Sequence, residues 1–160
     1  FKTINDTRGH DVGDRVLVAV SARLREIAEQ RGALCGRWGG EEFAIYLPDA
    51  DAESARALAE ALRQAIEAVQ VNDTEGQQVP VTASLGFAPI RGLELDSGQE
   101  RWEPALKCAD QLLYQAKHAG RNRGYGAWPA SAEASINPLA LDSALQSGIF
   151  RLVETDAATN

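Results

Sequence analysis

At 160 residues the chain is long enough for one compact domain with a real core. Apolar residues make up 44% and charged residues 24%, ordinary for a globular protein. The formal net charge of -7 argues against a general nucleic-acid binder, which needs a basic surface for the phosphate backbone, yet leaves room for a small phosphorylated ligand held by a few lysines beside a metal.

Two cysteines, Cys35 and Cys108, sit in apolar contexts without metal-ligand spacing and read as buried free thiols in a reducing compartment. No run approaches the roughly 18 apolar residues of a membrane span, and no signal peptide is visible. The expected setting is cytoplasmic. Because the chain begins at Phe1 with no initiator Met, a membrane-anchored sensor upstream is compatible with it.

In chain order, residues 1–14 read as an irregular polar segment, with Asn5, Asp6, Gly9 and Gly13 as breakers. From Asp14 the pattern becomes helical, with Val16, Leu17, Val20, Leu24 and Ile27 on one side and a stop near 30–32, where Gly32 can cap. Two short apolar segments, Ala33-Leu34-Cys35 and Phe43-Ala44-Ile45-Tyr46-Leu47, flank Arg37-Trp38-Gly39-Gly40-Glu41-Glu42. The spacing predicts a β-hairpin that bends at Gly39-Gly40, its second arm starting with the two glutamates. Two carboxylates at such a tip suit a divalent cation carrying phosphates. Trp38 is expected to pack, and Arg37 to brace the hairpin or face a partner.

A second helix follows, with Asp51 and Glu53 at its N-terminal end and Ala55, Leu58, Ala59, Leu62, Ile66 and Val69 in one stripe. After a turn at 72–78, Val79, Val81, Ala83, Leu85 and Phe87 alternate as in a strand whose second face is small, suiting a helix or ligand close against it. A polar loop at 89–103 leads to a third amphipathic helix, with Pro104 as its first residue and a stop at Gly120. Residues 125–128 suggest an edge strand. Residues 129–160 read as a C-terminal extension with one short helix between Leu139 and Ser147. The order helix, hairpin, helix, strand, helix implies an α/β sandwich with a mostly antiparallel sheet.

With these residues in view, Gly39-Gly40-Glu41-Glu42-Phe43 resembles the signature of the GGDEF domains, the diguanylate cyclases, in its Glu variant. The likeness extends through Phe1-Lys2, Asn5-Asp6, Gly9-His10, Gly13-Asp14-Arg15-Val16-Leu17, Ala83-Ser84-Leu85-Gly86, Ala109-Asp110, Tyr114, Ala116-Lys117 and Gly120-Arg121-Asn122. It implies a ferredoxin-like βαββαβ core related to the nucleotidyl cyclase palm, here without its first strand, over residues 1–128. The implied activity is condensation of two GTP molecules into cyclic di-GMP with release of two pyrophosphates, between two copies of the domain. One site holding one GTP cannot close a two-nucleotide ring, so the product's symmetry itself asks for a second copy.

By the same resemblance, Glu41 is a ligand of Mg²⁺ or Mn²⁺, and Glu42 lies close to the metals or the attacking 3′-hydroxyl. Gly39 and Gly40 let the triphosphate approach the turn. Asn5 and Asp14 match the pair that reads guanine, an assignment the chemistry supports, since a carboxylate accepts from guanine N1–H and N2–H and an amide satisfies the remaining edge. Lys2 and Lys117 match the phosphate-contacting lysines, Lys117 also entering the catalytic set, and Arg121 matches an accompanying arginine. His10 and Asp6 are expected to hold the loop. A covalent N-terminal sensor or regulatory domain is the expected partner. The alternative is a catalytically inactive GTP-binding module that regulates an attached domain.

Two departures from the family pattern stand out. Product-inhibited members carry Arg-x-x-Asp ending five residues before the signature. The corresponding residues here are Gln30-Arg31-Gly32-Ala33, so weak or absent feedback inhibition is expected. The family also places Asp-x-Asp-x directly before the Phe-Lys pair, its leading Asp being the other metal ligand. The given residues are therefore expected to be a crop of a longer chain.

Overall fold

A computed structural model of the chain describes residues 1–94 and 102–155. The elements are α1 (Lys2–Arg8), α2 (His10–Gln30), β1 (Leu34–Gly39), β2 (Glu42–Tyr46), α3 (Ala52–Glu67), β3 (Leu85–Phe87), α4 (Trp102–His118), β4 (Gly124–Pro129), a 3-10 turn (Pro138–Ala140), α5 (Leu141–Gln146) and β5 (Phe150–Glu154). The fold is mixed α/β. Its backbone divides into two units, one of 1–49 with 61–83 and the other of 50–60 with the residues from 84 onward; α3 runs from the second into the first.

In the first unit, α2 buries Val12, Val16, Val20, Leu24 and Ala28, a stripe at helical spacing. Each of the larger side chains contributes about 1.5–3 kcal/mol by leaving water. The helix closes with two backbone bonds, from Ala33 N–H to the Ala28 carbonyl at 2.8 Å and from Gly32 N–H to the Glu29 carbonyl at 3.1 Å. This is a Schellman ending, with Gly32 at φ +67° supplying the left-handed residue it requires. Helix α2 packs on β1, which pairs with β2 antiparallel from Leu34↔Tyr46 to Gly39↔Glu42.

The expected irregular segment at 1–14 is instead helical. Only Gly9, at φ +87° and ψ 160°, interrupts it, separating α1 from an α2 that begins four residues earlier than expected. Polar residues that read as breakers support the first helix locally: Lys2 pairs with Asp6 at 2.5 Å, and the Thr7 hydroxyl donates to the Thr3 carbonyl at 2.7 Å. Gly13 is tolerated inside α2 because another side chain needs its space.

The alternating run 79–87 forms a ladder only at Leu85–Phe87. Val79 and Val81 are buried as expected, and Val79 N–H donates to the Val71 carbonyl at 2.8 Å beside a single antiparallel bridge at Asn72↔Gln78, but among the described residues no strand pairs with 79–84. The turn before it is built around Asp73, whose carboxylate accepts from the N–H groups of Glu75 and Gln77 at 2.9 and 2.8 Å.

In the second unit, β3, β4 and β5 form one sheet in that order. The antiparallel expectation holds for β1–β2 and for β4–β5, while β3–β4 is parallel, with α4 as the crossover such a pair needs. Residues 125–128 therefore lie in a central strand and not at an edge. The small face of β3 meets a helix: a Cβ on Gly86 would stand 1.9 Å from the Ala109 carbonyl of α4. The short helix expected between Leu139 and Ser147 is present as α5, and β5 was not foreseen. Leu141, Ala144 and Phe150 share a core cluster with Cys108, Leu112 and Ala127. The polar loop expected at 89–103, with Asp96 and Gly98, lies in part outside the described residues.

Candidate functional site

The hairpin tip is tighter than the glycine pair suggested. Gly39 pairs with Glu42, so the two-residue loop is Gly40-Glu41, and the second arm starts at Glu42. Gly40 has φ +55° at the first loop position, where a side chain would be strained. The register slips between Arg37 and Gly39, leaving Trp38 as the extra residue of a bulge. Trp38 was expected to pack; it is 60% exposed. Arg37 does brace the tip, its Nε donating to the Gly40 carbonyl at 2.7 Å.

Glu41 and Glu42 are both exposed at this braced tip. A Cβ built on Gly39 or Gly40 would meet nothing within 4 Å, so the space in front of the loop is open to a ligand. Among the described residues no group of three or more His, Cys, Asp or Glu side chains surrounds a single point. Two carboxylates still fit a hard cation of the Mg²⁺ type, which commonly takes one or two protein carboxylates and fills its octahedron with phosphate oxygens and water.

The second group of candidates lies on α1 and α2. The Asn5 side chain packs directly over Gly13: a Cβ there would fall 1.8 Å from Asn5 Oδ1. This seats the Asn5 amide beside the neighbour of Asp14. Asp14 itself lies within α2, exposed, and Gly9 occupies the position before the helix, so Asp14 is not the cap of this helix. Lys2 is exposed on α1 and paired with Asp6, the kind of surface pair that is worth less than about 1 kcal/mol and readily exchanged for a phosphate. His10 and Asp6, expected to hold a loop, are helical residues.

Lys117 and Arg121 belong to the other unit. Lys117 is exposed in the last turn of α4, and Arg121 follows Gly120 with φ +60°. The structure thus brings Asn5 to Asp14's neighbour, and gathers Gly39, Gly40, Glu41 and Glu42 in one turn.

Sequence reading missed two residues that bear on this site. Arg8, at the end of α1, donates to the carboxylate of Asp73, whose side chain is 4% exposed. Sixty-five positions separate the pair, so no local pattern signals it. Gly13 was read as a breaker and as part of a family block, but not as the residue whose missing side chain seats Asn5.

The mixed α/β fold thus presents adjacent carboxylates on an open glycine turn, and an Asn and an Asp on two abutting helices. The family model for the diguanylate cyclase GGDEF domain matches residues 1–123, and the chain belongs to that family. Diguanylate cyclase VdcA of Vibrio cholerae is 37% identical over 123 residues, which are 77% of this chain and 35% of that protein. Response regulator PleD of Caulobacter vibrioides is 39% identical over 127 residues, 79% of this chain and 27% of that protein. Among solved structures, the active GGEEF domain of a Vibrio cholerae diguanylate cyclase gives a TM-score of 0.60 at 33% identity, covering 77% of this chain and 73% of that one. Diguanylate cyclase SiaD of Pseudomonas aeruginosa, solved with its activator SiaC, gives 0.66 at 34% identity, covering 78% of this chain and 45% of that one. The chain spans about a third of the length of the first curated relatives it matches.

Proposed function

We propose that this chain is the catalytic part of a diguanylate cyclase, condensing two GTP molecules into cyclic di-GMP and two pyrophosphates, with residues 1–128 as the catalytic portion. The observation that carries the reading is the braced Gly40-Glu41 turn with two exposed carboxylates, in a chain whose family model spans residues 1–123.

Each domain binds one GTP. Asp14 accepts from the guanine N1–H and N2–H, and the Asn5 amide takes the remaining edge. The glycine turn lets the triphosphate lie against the backbone, with Lys2, Lys117 and Arg121 as its cationic partners. Glu41 and Glu42 would hold Mg²⁺ or Mn²⁺, which supplies neutralisation of the phosphate charge as the α-phosphorus is attacked. Glu42 also takes part either in ion binding alone or in accepting the proton of the attacking 3′-hydroxyl. A second copy is required, because each hydroxyl attacks the other nucleotide. The wider protein is read as a signalling protein with a regulatory domain preceding this one, and nucleic acid is not among its ligands.

The test is incubation of the intact protein with GTP and Mg²⁺, followed by chromatography of the products, with Glu41→Gln and Glu42→Gln in parallel. Wild type is expected to yield cyclic di-GMP and both variants to lose at least about a hundredfold in rate. Absence of product from wild type at high protein concentration, with GTP still bound, would establish the non-catalytic GTP-binding module instead.

A further inference from the structure

Helix α1 carries Asn5 and Lys2 but has no buried residue of its own. Burial of apolar surface, which fixes most helices in place, is only partial here, with Phe1 and Ile4 half-buried. Three polar or steric features add to it. Gly9 forms the corner between α1 and α2 at φ +87°, the Asn5 amide lies in the space left by Gly13, and Arg8 Nη1 bonds the Asp73 carboxylate.

The last of these has the character of an anchor. Asp73 is not a mobile surface acid: its Oδ1 accepts from two backbone N–H groups, at 2.9 and 2.8 Å, while Oδ2 receives Arg8. Its side chain is 4% exposed, whereas that of Arg8 is 41% exposed. A buried acceptor held by its own turn offers the arginine one fixed place to dock, so little entropy is lost on the acidic side when the pair forms. Arg8 lies three residues beyond Asn5, hence on the neighbouring turn of the same short helix.

We infer that Arg8 and Asp73 are positioning residues for guanine recognition: their ion pair fixes α1 so that the Asn5 amide stays beside Asp14. The inference rests on the assignment of Asn5 and Asp14 to the guanine edge. Without the pair, α1 is held less firmly against α2 and Asn5 leaves its seat for part of the time. Base recognition suffers, while the carboxylates on the hairpin are untouched.

The experiment measures binding of a GTP analogue whose α–β bridging oxygen is replaced by methylene, by calorimetry on the intact protein with Mg²⁺, together with steady-state kinetics on GTP. Variants are Arg8→Gln, Arg8→Lys, Asp73→Asn and Asn5→Ala. Asn at 73 can still accept both backbone N–H groups, so it keeps the turn and removes the charge. Arg8→Gln and Asp73→Asn should each weaken analogue binding roughly tenfold, raise KM for GTP in parallel and leave kcat within about twofold, a factor of ten being 1.4 kcal/mol. Arg8→Lys should recover most of the affinity, and the double variant Arg8→Gln/Asp73→Asn should be no worse than either single one. Asn5→Ala should lose affinity whatever stands at position 8. Wild-type affinity in Arg8→Gln, or a fall in kcat at unchanged binding, overturns the positioning role while leaving the guanine assignment intact. Unchanged binding in Asn5→Ala overturns both.

Discussion

Ala33 stands where family members with the Arg-x-x-Asp product site carry their aspartate. Here it is 6% exposed, and its N–H closes α2 on the Ala28 carbonyl at 2.8 Å. Neither charged residue of the pattern is present, since position 30, where the pattern has arginine, is Gln30. Cyclic di-GMP is therefore expected to bind this chain weakly or not at all away from the active site. Calorimetry giving sub-micromolar affinity at two ligands per domain, lost on changing Arg31 or Gln30, would refute this. The cysteines give a second prediction at the same scale. Cys108 is 1% exposed and burial pushes its thiol up to about 11, while Cys35 is half-buried, its thiol raised by burial against the opposing pull of Arg25. Since the thiolate is the reactive form, a thiol reagent at pH 8 should modify Cys35 slowly and Cys108 only after unfolding. Rapid labelling of both thiols in the native protein would contradict the packing.

At the scale of elements, the strand–helix contact at Gly86 is the least forgiving junction. A methyl group there would meet the Ala109 carbonyl at 1.9 Å and the Leu113 amide nitrogen at 2.6 Å, both backbone atoms that no rotamer change can move aside. Gly86→Ala should therefore cost about 3 kcal/mol, the upper end for overpacking, and lower the midpoint of urea unfolding without changing its slope. A midpoint equal to that of wild type would mean that β3 and α4 stand farther apart. This junction was half legible in the sequence, since the small face of the strand announced a close neighbour without saying whether helix or ligand. Helices α2, α3 and α4 and the hairpin were legible because their apolar periods and caps are local signals, as with Asp51, which accepts from the Ser54 N–H at 2.7 Å at the start of α3. Helix α1 was not, because Asn5, Asp6 and Gly9 read as breakers and its Arg8 contact is to Asp73, far away in sequence. Strand β5 was hidden for a similar reason: it pairs with β4, and Phe150 is 1% exposed because it joins a core cluster with residues of α4, α5 and β4. Of the candidate site, the hairpin carboxylates, the glycines and the Asn5–Asp14 pair were readable as motif residues. The one-residue shift of the turn was not, because it follows from the bulge at Trp38.

For the whole molecule, the ionisable groups that the fold perturbs set a window of stability. Asp73 is held below its ordinary value of 3.8, first by the Gln77 N–H and then by the Glu75 N–H and Arg8. Asp51 is lowered by its bonds from Ser54, and Glu53 is held below 4.5 by Arg56. A carboxyl that is more acidic folded than unfolded binds protons first in the unfolded chain. Between its folded value and its ordinary one the unfolded state holds more protons, and stability rises with pH. The contribution of these three groups is thus complete above about pH 5 and is lost as the pH falls through the ordinary carboxylate range and below. The thiols act with the opposite sign. With Cys108 raised from 9.0 to about 11, the unfolded chain releases its proton first, so this contribution is intact below pH 9 and disappears as the pH climbs toward 11. Urea midpoints should accordingly be level between about pH 5 and 8 and fall on both sides. Asp73→Asn should flatten the acid limb and leave the alkaline limb alone, while Cys108→Ala should do the reverse. If Asp73→Asn lowered the midpoint equally at pH 3 and pH 7, the carboxylate's charge would have no part in the acid limb, and the turn at 73–77 would owe its stability to hydrogen bonding alone.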